Sequence, residues 1–307
     1  MPDDKHTYHA NGKLLLTAEY FVLHGAKAIA LPLQYGQQME VAAGSRQQVV
    51  SWKAFMNEGL WFSCDFKLPD LRIVHSSDTE KALILQDALK AVVEMNPQFE
   101  LNGGLDIYTK IDFHSQWGFG SSSTMIANLA SWAGVDPFEL NEKIFHGSGF
   151  DIACASADGP IFYQKNKKPE PVDLDYPFLD QLYFVYSGAK KNTRSEVRRF
   201  LKHGAVSAAQ VDEINAISER MSQSKTLIDF QQSLVAHEQL VSKLLKVPTV
   251  KSTYFVDFNG EIKSLGAWGG DFYLAATAMD KKNVLQYFGE KGLQVIFPWK
   301  ALVLNNR

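Results

Sequence analysis

Cysteine is nearly absent: Cys64 and Cys154 are the two in 307 residues. That excludes a disulfide framework and suits a reducing compartment. An excess of positive charge is also missing. Lys and Arg number 31 against 34 Asp and Glu, for a net charge of −3. The basic footprint of a nucleic-acid binder is therefore lacking, and no nucleic-acid partner is expected. No apolar run approaches the roughly 20 residues that span a bilayer. The opening MPDDKHTYHA is polar, without the apolar stretch of a signal peptide. The expectation is a cytoplasmic protein with no membrane partner. The 8 histidines show no close metal-ligand spacing, and structural or surface roles are expected of them. There is no internal repeat and no low-complexity tract.

What is present is ordinary globular material, 46% hydrophobic and 21% charged. The length suits one large domain or two closely packed lobes. The first third reads as strands and turns, with Gln38–Ala42 and Gln47–Trp52 expected to pair across Gly44-Ser45. Asp78–Met95 and Phe138–Phe145 have helical periodicity. Further on, helices are expected over Arg194–Leu201, Ala208–Met221, Leu227–Leu245 and Lys281–Lys291. Thr253–Asp257, Asn259-Gly260 and Glu261–Lys263 read as a hairpin. This mixture predicts an α+β fold. The polar connector Lys165–Pro171 suggests a boundary, giving domains 1–168 and 169–307.

The stretch WGFGSSSTMIANLASWAG, Trp117 to Gly134, carries the first chemical signal. Gly118 and Gly120 let a ligand approach the main chain. Ser121, Ser122 and Ser123 are N-cap candidates. Met125, Ile126, Leu129, Ala130 and Ala133 then share one helix face, and Gly134 is a stop. A glycine loop feeding a helix start aims N–H groups and a positive dipole end at one spot, which suits phosphate. An ordinary capped helix reads the same letters. The Gly-Lys-Ser/Thr of a Walker A loop is missing, and Ser123 stands where a dinucleotide loop has its third glycine.

Other segments share this character. Lys13 follows Asn11-Gly12 at the head of an apolar strand, where it can meet a phosphate or simply end the strand. Gly266, Gly269 and Gly270 precede strand Phe272–Ala276, either against a ligand or as a tight turn. Asp151 opens the small apolar run Ile152–Ala155, as a buried carboxylate with a partner or as a helix cap. Glu142 lies on a helical segment beside Lys143, where a solvated face is the plain alternative.

In this order the segments resemble the GHMP kinases, the superfamily of galactokinase, homoserine kinase, mevalonate kinase and phosphomevalonate kinase. The resemblance covers roughly Ala10 to Thr277. Asn11-Gly12-Lys13 with Ala18-Glu19-Tyr20 is similar to a Pro-Gly-Lys … Gly-Glu-His/Tyr motif. Gly118-Phe119-Gly120-Ser121-Ser122-Ser123 is similar to Gly-Leu-Gly-Ser-Ser-Ala, and Gly266-Ala267-Trp268-Gly269-Gly270 to Gly-Ala-Gly-Gly-Gly. The resemblance implies a two-lobed fold, with an N-terminal ribosomal-S5-like lobe and a C-terminal ferredoxin-like lobe. It implies that Gly118 to Ser123 and the third glycine group hold ATP. It implies that Ser122 and Glu142 hold Mg²⁺, and that Asp151 and Lys13 are catalytic. Glu19, Tyr20 and His24 then fall on the acceptor side.

Within the superfamily, GSGFDIACA and GAWGGDF with its Asp271 look closer to phosphomevalonate kinase than to galactokinase, and GKLLLTAEYFVL resembles the start of phosphomevalonate kinase. EKIFHG and VLHGAKAIALP look like mevalonate kinase. A phosphate acceptor needs extra cations, and Lys190, Lys191 and Arg194 are candidates to bind it, with Thr193 adding a hydroxyl, although a solvated helix start also explains the three cations. The expected activity is transfer of the ATP γ-phosphoryl group to phosphomevalonate, with mevalonate as the alternative acceptor, by a monomer or homodimer. Asn11, Ala18 and Trp268 depart from the motifs. They keep open a GHMP-fold nucleotide or metabolite sensor without turnover, and a decarboxylase of the same superfamily is a further rival.

Overall fold

The computed structural model describes residues 5–57, 59–188, 206–266 and 270–305. In chain order the first elements are β1 (His6–Leu15), a 3-10 turn (Phe21–His24), β2 (Ala28–Ala43), β3 (Val49–Met56), β4 (Gly59–Lys67), β5 (Arg72–Ser76), α1 (Thr79–Met95) and β6 (Leu105–Ile111). Next come α2 (Ser121–Ala133), α3 (Pro137–Phe145), α4 (Phe150–Ala155), β7 (Ile161–Tyr163), β8 (Glu170–Pro171) and β9 (Leu182–Tyr186). After them follow α5 (Ala208–Ser222), α6 (Leu227–Leu245), α7 (Val250–Tyr254), β10 (Glu261–Leu265), β11 (Phe272–Ala276), α8 (Lys281–Glu290), β12 (Ile296–Pro298) and α9 (Trp299–Leu302). The fold is α+β. Among the described residues no helix is long and apolar enough to cross a membrane.

The chain forms two units. The first holds residues up to Gly12, Tyr35–Ser115 and Phe119–Ser156. The second holds Lys13–Gln34, Gln116–Gly118 and the residues from Ala157 onward. The connector at 165–171 is therefore not where the chain changes units. The physical reason lies in pairing: Ala28–Ala30 of β2 pair with β7, and Leu33 bridges Val303. These bonds tie residues 13–34 to the later half.

In the first unit β5, β4, β3, β6 and the later part of β2 lie side by side in that order. Alternation does the sorting: Val50, Trp52 and Ala54 of β3, and Ile107 and Ile111 of β6, point into the core. Helix α1 starts at Asp78, whose side chain accepts the Lys81 N–H, and buries Leu85, Ala88, Leu89 and Val92 at helical spacing. Each large aliphatic side chain buried this way contributes about 1.5–3 kcal/mol. Helices α2, α3 and α4 pack on one another, with Ile126, Leu129, Leu140 and Ile152 in the same core.

In the second unit an antiparallel sheet runs β10-β11-β9-β12. That is the strand order of a split β-α-β motif. Its central strand β11 is buried along its whole length, so Phe-Tyr-Leu-Ala-Ala shows no alternation. Tyr183, Val185, Tyr273 and Ala275 pack with Phe255, Val284 and Phe288, and Phe184 meets Trp299 with ring centroids 5.3 Å apart.

Two local expectations are corrected. Strands β2 and β3 do not pair across Gly44-Ser45: β6 lies between them, antiparallel to β2 and parallel to β3. The segment expected as the strand Thr253–Asp257 instead begins inside helix α7, which Thr249 caps by accepting the Ser252 N–H at 3.3 Å. The hairpin partner of β10 is β11. The helix expected over Arg194–Leu201 lies outside the described residues.

Candidate functional site

The three glycine-bearing segments meet pairwise. In the first unit, a Cβ on Gly12 would stand 2.9 Å from the Tyr35 carbonyl and 3.0 Å from the Phe119 carbonyl, so β1 lies against the second loop only because Gly12 has no side chain. In the second unit, the Lys13 Nζ donates to the Gly118 carbonyl at 2.8 Å. There too, a Cβ on Gly118 would come 2.6 Å from the Asp271 Cγ, and Gly118 has φ of +69°. Glycine is required at Gly118 on both counts. Asp271 immediately follows the third glycine group, and its carbonyl accepts the Ser187 N–H at 2.9 Å.

Helix α2 begins where this loop ends. Gly120, at φ 95°, is its N-cap, and no side chain caps its first turn among the described residues. The serines expected as caps lie one to three residues inside the helix. Ser123 and Thr124 turn inward, both donating to the Gly120 carbonyl, at 2.9 and 3.1 Å. Ser121 is half-buried and Ser122 exposed at the helix start. N–H groups, a positive dipole end and hydroxyls are the groups that suit an anion.

Ser122, Glu142 and Asp151 sit on three mutually packed helices of the first unit. Glu142 is exposed on α3, one turn before His146, which ends that helix at φ 52°. Asp151 is half-buried in the first turn of α4, after Gly149 at φ 88°. Its Oδ1 accepts the Ile152 N–H at 3.1 Å, so Gly149 rather than Asp151 is the cap. An exposed hydroxyl and an exposed carboxylate are the hard oxygen donors that Mg²⁺ takes alongside water and phosphate. Among the described residues there is no cluster of three or more His, Cys, Asp or Glu side chains for a dedicated metal cage.

The segment after Lys13 goes inward. Glu19 is 4% exposed and ion-paired with Lys263, and its Oε2 lies 3.0 Å from the Nε2 of His237. Burial alone would raise its pKa, but Lys263 and then His237 outweigh that and hold it below the ordinary value. Burial, then Lys263, keeps His237 below its ordinary value and so neutral. Glu238 is buried beside them, and burial raises its pKa. The Glu19 carboxylate, expected on the acceptor side, is thus engaged with Lys263 inside the second unit. Tyr20 is buried, and His24 is exposed in the Phe21–His24 turn.

Sequence reasoning missed His237, Glu238 and Lys263. A charged residue within a five-residue strand otherwise buried at Ile262, Ser264 and Leu265 was the only signal for Lys263. Lys190, Thr193, Arg194, Trp268 and Gly269 lie outside the described residues, while Gly266 has φ of 83° and Gly270 is buried. Cavities of about 250 and 490 Å³ occur in the second unit, and no glycine-motif residue lines either.

No family model and no curated sequence matches the chain. Solved structures do. The mevalonate kinase of Methanococcus jannaschii superposes with a TM-score of 0.72 at 17% identity, covering 96% of this chain and 97% of that one. Phosphomevalonate kinase of Streptococcus pneumoniae, solved with phosphomevalonate and AMPPNP, gives 0.69 at 14%, covering 95% and 99%. Galactokinase of Lactococcus lactis, solved with galactose, gives 0.65 at 12%, covering 99% and 94%. The chain therefore has, over nearly its whole length, the fold shared by these GHMP kinases.

Proposed function

We propose that this protein is an ATP-dependent small-molecule kinase of the mevalonate type, transferring the γ-phosphoryl group to phosphomevalonate. The observation that carries the reading is the meeting of the three glycine segments: Gly12 on Phe119, Lys13 on Gly118, and Gly118 on Asp271. The fold supports the reading, since its neighbours include a kinase solved with phosphomevalonate and AMPPNP.

In this reading the ATP phosphates lie at the start of α2, against Gly118 to Ser123, with Gly266, Gly269 and Gly270 on the nucleotide side. Ser122 and Glu142 would hold Mg²⁺, which neutralises phosphate charge. Asp151 orients the acceptor oxygen and takes a proton where the acceptor is a hydroxyl. Lys13 supplies positive charge at the acceptor oxygen and favours the ionised form of Asp151. Lys190, Thr193 and Arg194 bind the acceptor phosphate. Tyr20 and His24 border the acceptor. The protein acts as a cytoplasmic monomer or homodimer.

Mevalonate is the second reading, favoured by EKIFHG around Glu142 and by a mevalonate kinase neighbour at TM-score 0.72. Coupled ADP release with Mg-ATP and a panel of mevalonate, phosphomevalonate, diphosphomevalonate, galactose and homoserine tests both. Turnover with phosphomevalonate, abolished by Asp151→Ala and Lys13→Met, supports the first reading. Turnover only with mevalonate changes the acceptor and keeps the residues. Nucleotide binding without turnover on any acceptor overturns the kinase reading in favour of a sensor, and release of CO₂ with phosphate would mark the decarboxylase.

A further inference from the structure

The turn Thr17–Tyr20 has a costly backbone. Ala18 and Tyr20 both have φ of 65°, a positive angle that residues with a side chain avoid. Ala18 stands where the similar motif has glycine, and the backbone keeps a glycine-like angle. Such geometry persists only where its surroundings over-determine it.

The surroundings here are a fully buried polar cluster, all of it in the second unit. The Thr17 hydroxyl accepts from the Ile29 N–H and from the Ser218 hydroxyl, both at 2.8 Å. The Ala18 N–H donates to His237 Nε2 at 2.9 Å. Lys263 holds Glu19 Oε1 and donates to the Ser264 carbonyl at 2.7 Å. The Ser264 N–H donates to Glu238 Oε1 at 3.0 Å, and the Val250 N–H to Glu238 Oε2 at 3.1 Å. Two residues beyond Ser264 is Gly266, where the third glycine segment begins.

We propose that Lys263 and His237 are positioning residues: through Glu19 and Ala18 they hold the turn that follows Lys13, and through Ser264 they join it to the third glycine segment. This rests on the kinase reading, in which Lys13 and Tyr20 serve the acceptor and Gly266 the nucleotide.

The cluster also has a proton-dependent weak point. A ring nitrogen has one lone pair. His237 Nε2 accepts from Ala18 while lying 3.0 Å from Glu19 Oε2, which is buried and has no hydrogen-bond partner among the described residues. Neutral His237, with its proton on Nδ1, serves Ala18. A second proton makes Nε2 a donor to Glu19, and the Ala18 N–H loses its acceptor. The charged groups acting on His237 are Glu19 and, from β10, Lys263. Helix α5 contributes the uncharged Ser218, and Glu238 lies next to His237 on α6.

The test combines amide hydrogen exchange at Ala18 with steady-state kinetics, on the full chain. Lys263→Met is expected to speed Ala18 exchange and to lower kcat/KM for the acceptor, each about tenfold or more, while AMPPNP binding changes less than about threefold. Lys263→Arg should restore part of both. In the wild type, Ala18 exchange, corrected for its intrinsic pH dependence, should accelerate as pH falls below the ordinary histidine range. His237→Gln keeps an acceptor without titrating, so its corrected exchange should stay flat; this variant decides the matter if Lys263→Met does not fold. Ala18 exchange unchanged in Lys263→Met, or a His237→Gln exchange that keeps the pH dependence of the wild type, overturns the proposal, as does altered exchange with unaltered acceptor kinetics. If no acceptor turns over in the wild type, the kinase reading fails, and with it the positioning role. The exchange data then still decide whether the cluster holds the turn.

Discussion

The α-carbon of Gly118 faces the carboxylate of Asp271 so closely that no side chain fits between them. That single approach joins the second glycine loop to the end of the third. Gly118→Ala should therefore lose stability twice. The left-handed φ of 69° costs about 1–2 kcal/mol for any residue with a Cβ, and the clash adds to it. The double variant Gly118→Ala/Asp271→Ala should recover the clash and keep the backbone cost. Urea midpoints of the three proteins check this, and equal midpoints for the single and double variants would refute the contact.

Asp151→Ala and Lys13→Met act on different parts of the proposed chemistry. Asp151→Ala should lower kcat with a hydroxyl acceptor about 10²–10⁴-fold. With a phosphate acceptor the loss should be smaller, because that oxygen is already anionic. Lys13→Met removes charge stabilisation under either acceptor and should cost about 10²–10³-fold. The ratio of the two losses, read from coupled ADP release, reports which acceptor the site serves.

Lys263 and Glu19 are both almost fully buried. Removing one partner of such a pair leaves an uncompensated charge and costs about 3–5 kcal/mol. Lys263→Met should show this in urea unfolding. Glu19→Gln/Lys263→Met should cost less than Lys263→Met alone, because the stranded charge is gone.

Stability should fall on acidification. His237 has a lowered pKa, so as pH drops below about 6.5 the unfolded chain takes up that proton before the folded one does. Its contribution is present above that value and is lost as pH falls through the folded pKa. Glu19, also lowered, has the same sign further down, below about 4.3. Glu238, raised by burial, opposes them, because its contribution is present at low pH and lost as pH rises. Unfolding midpoints at about pH 7.5 and 5.5 should differ in the wild type and converge in His237→Gln.

Cys64 is 1% exposed, and burial, then the Asp65 charge, pushes its thiol pKa up to about 12. The thiolate is the reactive form. Iodoacetamide at neutral pH should leave Cys64 unmodified in the native protein and label it in urea, read by mass spectrometry.

Much of the layout was legible in the letters. Helix α1 announces itself through the spacing of Leu85, Ala88, Leu89 and Val92, although Leu83, read on the same face, is 48% exposed. Helix α2 follows Gly120 and stops at Gly134, as its apolar face and glycines predict. Pairing was not legible. Gln38–Ala42 and Gln47–Trp52 are consecutive strands with a Gly-Ser link, yet β6 inserts between them from more than fifty residues away. Thr253 and Tyr254, read as the start of a strand, instead close a helix whose first turn the Thr249 side chain caps. Local propensity is weak, and a cap or a distant strand overrides it.

By itself the sequence determined the residue types at each motif: the glycines that a close backbone demands, the lysine after Gly12, the serines at a helix start and the carboxylates Glu142 and Asp151. It determined the α+β composition through periodicity, which is a property of neighbours in the chain. Only the tertiary structure decided which segments meet. Glu19 illustrates the difference. Its letters match a motif on the acceptor side, but Lys263, more than two hundred residues away, pairs with its carboxylate in the interior. A charge goes where its counter-charge is, and the position of a counter-charge is fixed by packing rather than by spacing.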